Sequence, residues 1–134
     1  MITRSTYLDK IMPFIGKPLI KVISGIRRSG KSTLLKLIKN KLIEDGVSKT
    51  QILYINFESF AFSEITNAKH LYNWVQEQKH PSLRSYLLLD EIQEIEGWEK
   101  AINAFMVDFD IDIYLTGSNS HLLSSELSTY LTGR

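Results

Sequence analysis

Apolar residues recur along this chain in two rhythms, and their succession predicts strands alternating with helices. Pro18-Leu-Ile-Lys-Val-Ile-Ser24 is a β-branched, mostly apolar run bounded by proline and glycine, which reads as a strand. Lys31 to Asp45 then carries Leu34, Leu35, Ile38, Leu42 and Ile43 on one helical face, with Gly46 placed as a C-terminal cap. Gln51 to Phe57, Ser85 to Asp90 and Ile111 to Thr116 read as three more strands. Between them, Asn67 to Gln78 sets Ala68, Leu71, Trp74 and Val75 on one helical face. Ile95, Trp98, Ala101, Ile102, Phe105 and Met106 form another. The run Tyr86-Leu-Leu-Leu-Asp90 is apolar on both strand faces, which suits the middle of a parallel sheet covered by helices. The expected architecture is α/β, a three-layer sandwich around a parallel sheet.

Composition narrows this further. A chain of 134 residues with 43% hydrophobic content can bury one core but not two. The formal net charge of +1 supplies no basic field that would argue for nucleic acid. Lys36, Lys39 and Lys41 read as the solvated side of an amphipathic helix. The absence of cysteine excludes disulfides and thiolate metal sites, and His70, His80 and His121 lie too far apart for ligand spacing. No apolar run approaches the roughly 20 residues a membrane-crossing helix needs, and Met1-Ile-Thr-Arg4 does not open a signal peptide. The expectation is a soluble, cytoplasmic protein with no membrane partner.

The chemistry is concentrated in residues 25 to 32, Gly-Ile-Arg-Arg-Ser-Gly-Lys-Ser, which match the phosphate-binding pattern G-x-x-x-x-G-K-[ST]. A loop that wraps a polyphosphate must turn tightly and bring bare backbone N–H groups to the anion. Gly25 and Gly30 permit this, and Arg28, Ser29 and Thr33 complete the expected phosphate-binding set. Lys31 supplies a charge between the outer phosphates, and Ser32 offers a hydroxyl to Mg²⁺. The strand before and the helix after are the context this motif requires.

A second signal is the abrupt end of the apolar run in Asp90 and Glu91, the Walker B pattern. Ligands of parallel sheets gather at the carboxyl ends of the strands. Asp90 is therefore expected to hold Mg²⁺, in part through water, and Glu91 to polarise an attacking water. The strand Ile111-Asp-Ile-Tyr-Leu-Thr116 ends in Gly-Ser-Asn119, small polar residues that should lie beside both.

As a set, these motifs resemble those of the prokaryotic AAA-type P-loop ATPases. The shared segments are Gly25 to Thr33, Leu87 to Gln93, Thr116 to Ser120 and Leu131 to Arg134, together with Arg4 to Leu8 and the strand around Tyr54 to Glu58. The resemblance implies a P-loop NTPase sandwich of AAA/RecA-like topology, with strands ordered 2-3-4-1 in what remains of a 5-1-4-3-2 core. It implies ATP and Mg²⁺ as ligands, and Asn119, with Ser118 as the alternative, as sensor of the terminal phosphate. Arg134 is the matching position for an arginine finger reaching a neighbouring subunit. In such proteins a polar residue on the second strand can hold the catalytic glutamate idle, and Asn56 is the chemical match here.

The chain stops where the resembled domains continue into a fifth strand and a lid, so residues 1–134 read as an incomplete AAA-type core. An unpaired strand edge would favour self-association, there or through the nucleotide edge. The expected activity is hydrolysis of ATP as the switch of a larger ATPase. The alternatives are an ATP-gated module binding a protein or DNA client with little turnover, and a kinase acting on a small acceptor. Asp108, Asp110 and Asp112 alternate with apolar residues and predict a last strand whose first half has one wet face. Phe60-Ala-Phe62 is an apolar stretch expected to pack or to face a partner. Ser5 or Thr6 can cap a short helix that Pro13 ends.

Overall fold

The computed structural model describes residues 20–23 and 28–117, and of residues 28–32 the backbone alone. The short helix expected before Pro13 lies outside the described residues. Four strands are present, β1 (Ile20–Ile23), β2 (Ile52–Asn56), β3 (Ser85–Asp90) and β4 (Ile111–Thr116). They alternate with α1 (Arg28–Glu44), α2 (Ala68–Gln78) and α3 (Trp98–Asp108). All strand pairs are parallel, in the order β1-β4-β3-β2, which is the expected 2-3-4-1. Register aligns Lys21 with Tyr114, Leu89 with Leu115 and Asn56 with Asp90.

Because successive side chains point to opposite faces, this register sorts the sheet into two cores. One face presents Ile20, Val22, Leu53, Ile55, Leu87, Leu89, Ile111, Ile113 and Leu115 to α2 and α3, where Leu71, Val75, Trp98, Ile102 and Phe105 are buried. The other presents Ile23, Ile52, Leu88 and Tyr114 to Leu34, Leu35, Ile38 and Leu42 of α1. The result is the α/β three-layer sandwich with a parallel sheet. Its central strands are apolar on both sides because both sides are covered. Trp98 is core, whereas Trp74 is half-buried and meets Phe62 edge-on at 6.0 Å. Phe60, at 89% relative exposure, is in water.

The structure differs from the sequence pattern in two places. α1 begins at Arg28 rather than Lys31, so Arg28, Ser29 and Gly30 form its first turn instead of the preceding loop. Arginine is a good helix former, no proline interrupts, and a glycine in the first turn costs little there. The aspartate alternation also misleads. Asp108 ends α3, and Asp112 is not wet: it is buried within β4 and paired with Lys21 of β1. A partner 91 residues away leaves no local trace, and only the placement of β1 beside β4 supplies it.

The C-terminus of α1 shows why the glycine stands where it does. Gly46 N–H bonds Ile43 C=O at 3.0 Å and Val47 N–H bonds Leu42 C=O at 3.0 Å, the paired closure that needs a left-handed residue. Gly46 has φ +101°, with open space where a Cβ would go, so strain rather than collision opposes any other residue. Gly46→Ala is expected to lower stability by about 1 kcal/mol. Urea unfolding checks this, and an unchanged midpoint would count against the cap.

Candidate nucleotide site

Three strands deliver polar side chains to one spot at their carboxyl ends, all on the face covered by α1. From β3 comes Asp90, fully buried, at the end of a run that is otherwise apolar. From β4 comes Thr116, also fully buried, whose hydroxyl donates to Asp90 Oδ1 at 2.5 Å. From β2 comes Tyr54, whose phenol donates to Asp90 Oδ2 at 3.3 Å. Tyr54 sits two residues before Asn56, the residue that Asp90 faces in register, so it reaches Asp90 along the same strand face. Partial burial, reinforced by the neighbouring Asp90 charge and this hydrogen bond, pushes the Tyr54 pKa up to about 12. Tyr54 therefore remains a donor throughout the neutral range.

The chain turns sharply at Glu91, which has φ 62° and ψ 53° and is the single positive-φ residue other than glycine among those described. Such a conformation costs an L-residue roughly 1–2 kcal/mol. Thr116 helps to hold it, because the hydroxyl that donates to Asp90 also accepts the Glu91 N–H at 3.0 Å. One threonine side chain thus ties the two adjacent acidic residues to β4. The Glu91 carboxylate is met by the side chain of Gln93, whose Nε2 donates to Oε1 at 2.7 Å. Glu91 itself is 3% exposed. Beneath, the turn Ile92–Glu94 is anchored by Ile92, which is buried in the α2/α3 core.

The first strand and α1 complete the setting. Residues 24–27 separate the carboxyl end of β1 from the start of α1. β1 lies next to β4, and α1 packs on the face that carries Asp90, Thr116 and Tyr54. The backbone of Lys31 and Ser32 follows the first turn of α1, Arg28 to Gly30, where N–H groups without intrahelical partners and the helix dipole favour an anion. Thr33 follows them, half-buried. Gly25, Ser118, Asn119 and Arg134, and the side chains of Arg28, Ser29, Lys31 and Ser32, lie outside the described residues.

Asn56 does not make the contact expected of it. Its side-chain oxygen accepts the Glu58 N–H at 3.0 Å, closing a local turn, and the amide that meets Glu91 belongs to Gln93. Tyr54, Gln93 and the hydroxyl role of Thr116 were not singled out by the sequence. A polar residue at a strand end carries no mark of which neighbour it will touch. For Thr116 a signal did exist, since a polar residue closing a buried strand next to the Walker B strand needs a partner.

Comparison with known proteins bears on what this arrangement is for. The sequence profile of a family described as an AAA domain matches residues 17–134. The chain belongs to that family. It is therefore an AAA-type P-loop ATPase domain, and at that level a nucleotide-binding one. The AAA domain is 48% identical over 136 residues to an uncharacterized protein of Haemophilus influenzae, aligning 100% of this chain with 34% of that protein. It is 36% identical over 120 residues to an uncharacterized protein of Methanocaldococcus jannaschii, aligning 86% of this chain with 24% of that protein. The chain thus spans a minor part of the curated relatives it matches. No solved structure matches it. Among the described residues no helix is long and apolar enough to cross a membrane.

Proposed function

We propose that residues 1–134 act as the ATPase core of a longer protein, binding ATP with Mg²⁺ and hydrolysing it to drive a switch. The observation that carries this reading is the junction of Asp90, Glu91 and Thr116 at the carboxyl ends of two central strands, on the face over which α1 begins. An acid that serves only to solubilise a loop would not be fully buried and held by two hydroxyls. Burying a carboxylate is costly unless it is hydrogen-bonded, and here the sheet is built to hold it.

The donor set suits Mg²⁺, a hard cation that prefers oxygen ligands and takes one or two carboxylates. Asp90 and the Ser32 hydroxyl would hold it, with Thr116 and Tyr54 orienting the Asp90 carboxylate. Mg²⁺ supplies neutralisation of the phosphate charge that grows as the terminal phosphoryl group leaves. Lys31, Gly30 and the neighbouring backbone of the loop bind the phosphates, with Gly25, Arg28, Ser29 and Thr33 completing the cradle. Glu91 aligns a water and accepts its proton as the water oxygen bonds to phosphorus, while the bond to ADP breaks and ADP takes that electron pair. Asn119 or Ser118 would sense the terminal phosphate, and Arg134 would act on a neighbouring subunit's nucleotide. β1 forms one edge of the described sheet, and a strand from a second copy or from elsewhere in a longer protein would pair there.

Titration of a fluorescent ATP analogue with Mg²⁺ into wild type and Lys31→Ala, followed by phosphate release on the same samples, tests this. A charge-assisted contact to phosphate is worth about 1.5–3 kcal/mol, so Lys31→Ala should weaken binding roughly 10-fold to 100-fold. Equal affinity in both would remove the phosphate-loop assignment. Binding without phosphate release would favour the ATP-gated module over the hydrolase.

A further inference from the structure

We propose that Gln93 is the positioning residue of Glu91: its side-chain amide fixes the direction of the carboxylate that aligns the attacking water. This rests on the hydrolytic reading above. Hydrolysis asks more of Glu91 than proximity, because a misplacement of about 1 Å can cost on the order of a hundredfold in rate. A glutamate has three side-chain torsions, and at the end of a strand nothing in its own chemistry selects one setting.

The contacts around Glu91 select one. Glu91 is pinned at its backbone by the Thr116 hydroxyl at 3.0 Å and at its carboxylate by the Gln93 amide at 2.7 Å. The left-handed backbone at Glu91 turns the chain so that a residue only two positions on can reach back to the carboxylate. Residues held in sparsely populated backbone conformations persist where the surroundings over-determine them, and such sites are concentrated at functional positions.

Gln93 is itself well placed to be a fixed point. Glu94 N–H bonds Glu91 C=O at 3.2 Å and Ile95 N–H bonds Ile92 C=O at 3.0 Å, which closes the turn around it. Ile92 and Ile95 on either side are buried in the α2/α3 core. The backbone that carries the donor is therefore anchored to the core on both sides. Its chemistry also matters: an amide N–H donates to an anionic carboxylate without bringing a counter-charge that would quench its affinity for a proton. A lysine or arginine at this position would hold Glu91 more strongly and make it a poorer base.

The test compares wild type, Gln93→Met and Gln93→Glu by phosphate release, by affinity for the fluorescent ATP analogue with Mg²⁺, and by thermal melting. Gln93→Met keeps much of the volume and removes the donor; Gln93→Glu keeps the shape and sets a like charge against Glu91. Both are expected to lose about tenfold to a hundredfold in kcat with KM and analogue affinity within about twofold of wild type. A kcat loss that merely tracks lost melting temperature or lost binding, or variants as fast as wild type, would overturn the proposal. A second reading needs no turnover. In protein labelled with ¹³C at glutamate carboxyls, the Glu91 signal, assigned by its absence in Glu91→Gln, should move in Gln93→Met. An unmoved signal removes the contact and the proposal with it. A wild type that binds ATP but releases no phosphate, with the Glu91 signal nonetheless moving, overturns hydrolysis and the water-aligning role while the Gln93 contact stands.

Discussion

Glu91→Gln is expected to lower phosphate release by about 100-fold to 10,000-fold while leaving the affinity for ATP·Mg²⁺ within a few-fold of wild type. The magnitude is that of a positioned general base removed from a reaction otherwise run by electrostatics. The substitution keeps the shape of the side chain and the backbone N–H that Thr116 accepts, so the bridge from β4 and the Asp90 contact should survive. What disappears is a carboxylate able to orient water and take a proton. Asp90, which lies one residue earlier but faces the α1 side of the sheet with both oxygens engaged by Thr116 and Tyr54, cannot stand in. Single-turnover phosphate release on pre-bound ATP separates this loss from any change in binding. A variant that hydrolyses within about threefold of wild type would remove Glu91 from the mechanism.

The second large effect is one of stability and lies at the other end of the same strand face. Lys21 and Asp112 are buried together beneath α1, with relative exposures of 0% and 2%, the ammonium bonded to Asp112 Oδ1 and the Tyr114 hydroxyl donating to Oδ2 at 2.6 Å. Lys21 also lies 5.0 Å from the centre of the Tyr114 ring. Burial pulls the lysine pKa below its ordinary value, and the attraction of Asp112 opposes but does not reverse this. Removing one partner takes away the opposite charge that offsets the cost of burying the other. Lys21→Met should therefore cost about 3–5 kcal/mol, a fall in melting temperature on the order of 10 °C or more. The double variant Lys21→Met with Asp112→Leu should recover part of that loss, because two apolar side chains no longer need solvation; the residual deficit is the Tyr114 hydroxyl, about 1–3 kcal/mol if it finds no other acceptor. Thermal and urea unfolding of the two variants decide it. A single variant within about 1 kcal/mol of wild type would mean that the pair is dispensable to the fold.

These expectations divide along a line that runs through the molecule. Strand and helix positions were legible in the order of residues because periodicity is a local property: the doubly apolar Tyr86-Leu-Leu-Leu-Asp90 could only be a covered central strand, and the spacing of Leu34, Leu35, Ile38 and Leu42 could only serve one buried helix face. Parallel pairing followed from the same reasoning and the strand order from the resemblance to AAA-type ATPases, and the sheet agrees with both. Asp90 was conspicuous for a similar reason, as a carboxylate closing an apolar run. Gly46 was legible as a cap because a helix end needs a left-handed residue within a few positions of the last apolar one.

What the order of residues left open is which polar groups meet, above all between distant segments. Asp112 looked like one of three alternating wet aspartates, and it is buried because β1 brings Lys21 against it. Asn56 looked like the partner of Glu91, yet it closes its own turn and the amide is supplied by Gln93, on the turn that follows the left-handed residue Glu91. Tyr54 gained its role from the register of β2 against β3, and Thr116 from lying beside Asp90 and Glu91 at once. Local order records which residues prefer a strand, a helix face or a turn. Which polar groups share a buried space is settled only when the sheet closes and each must find a partner away from water.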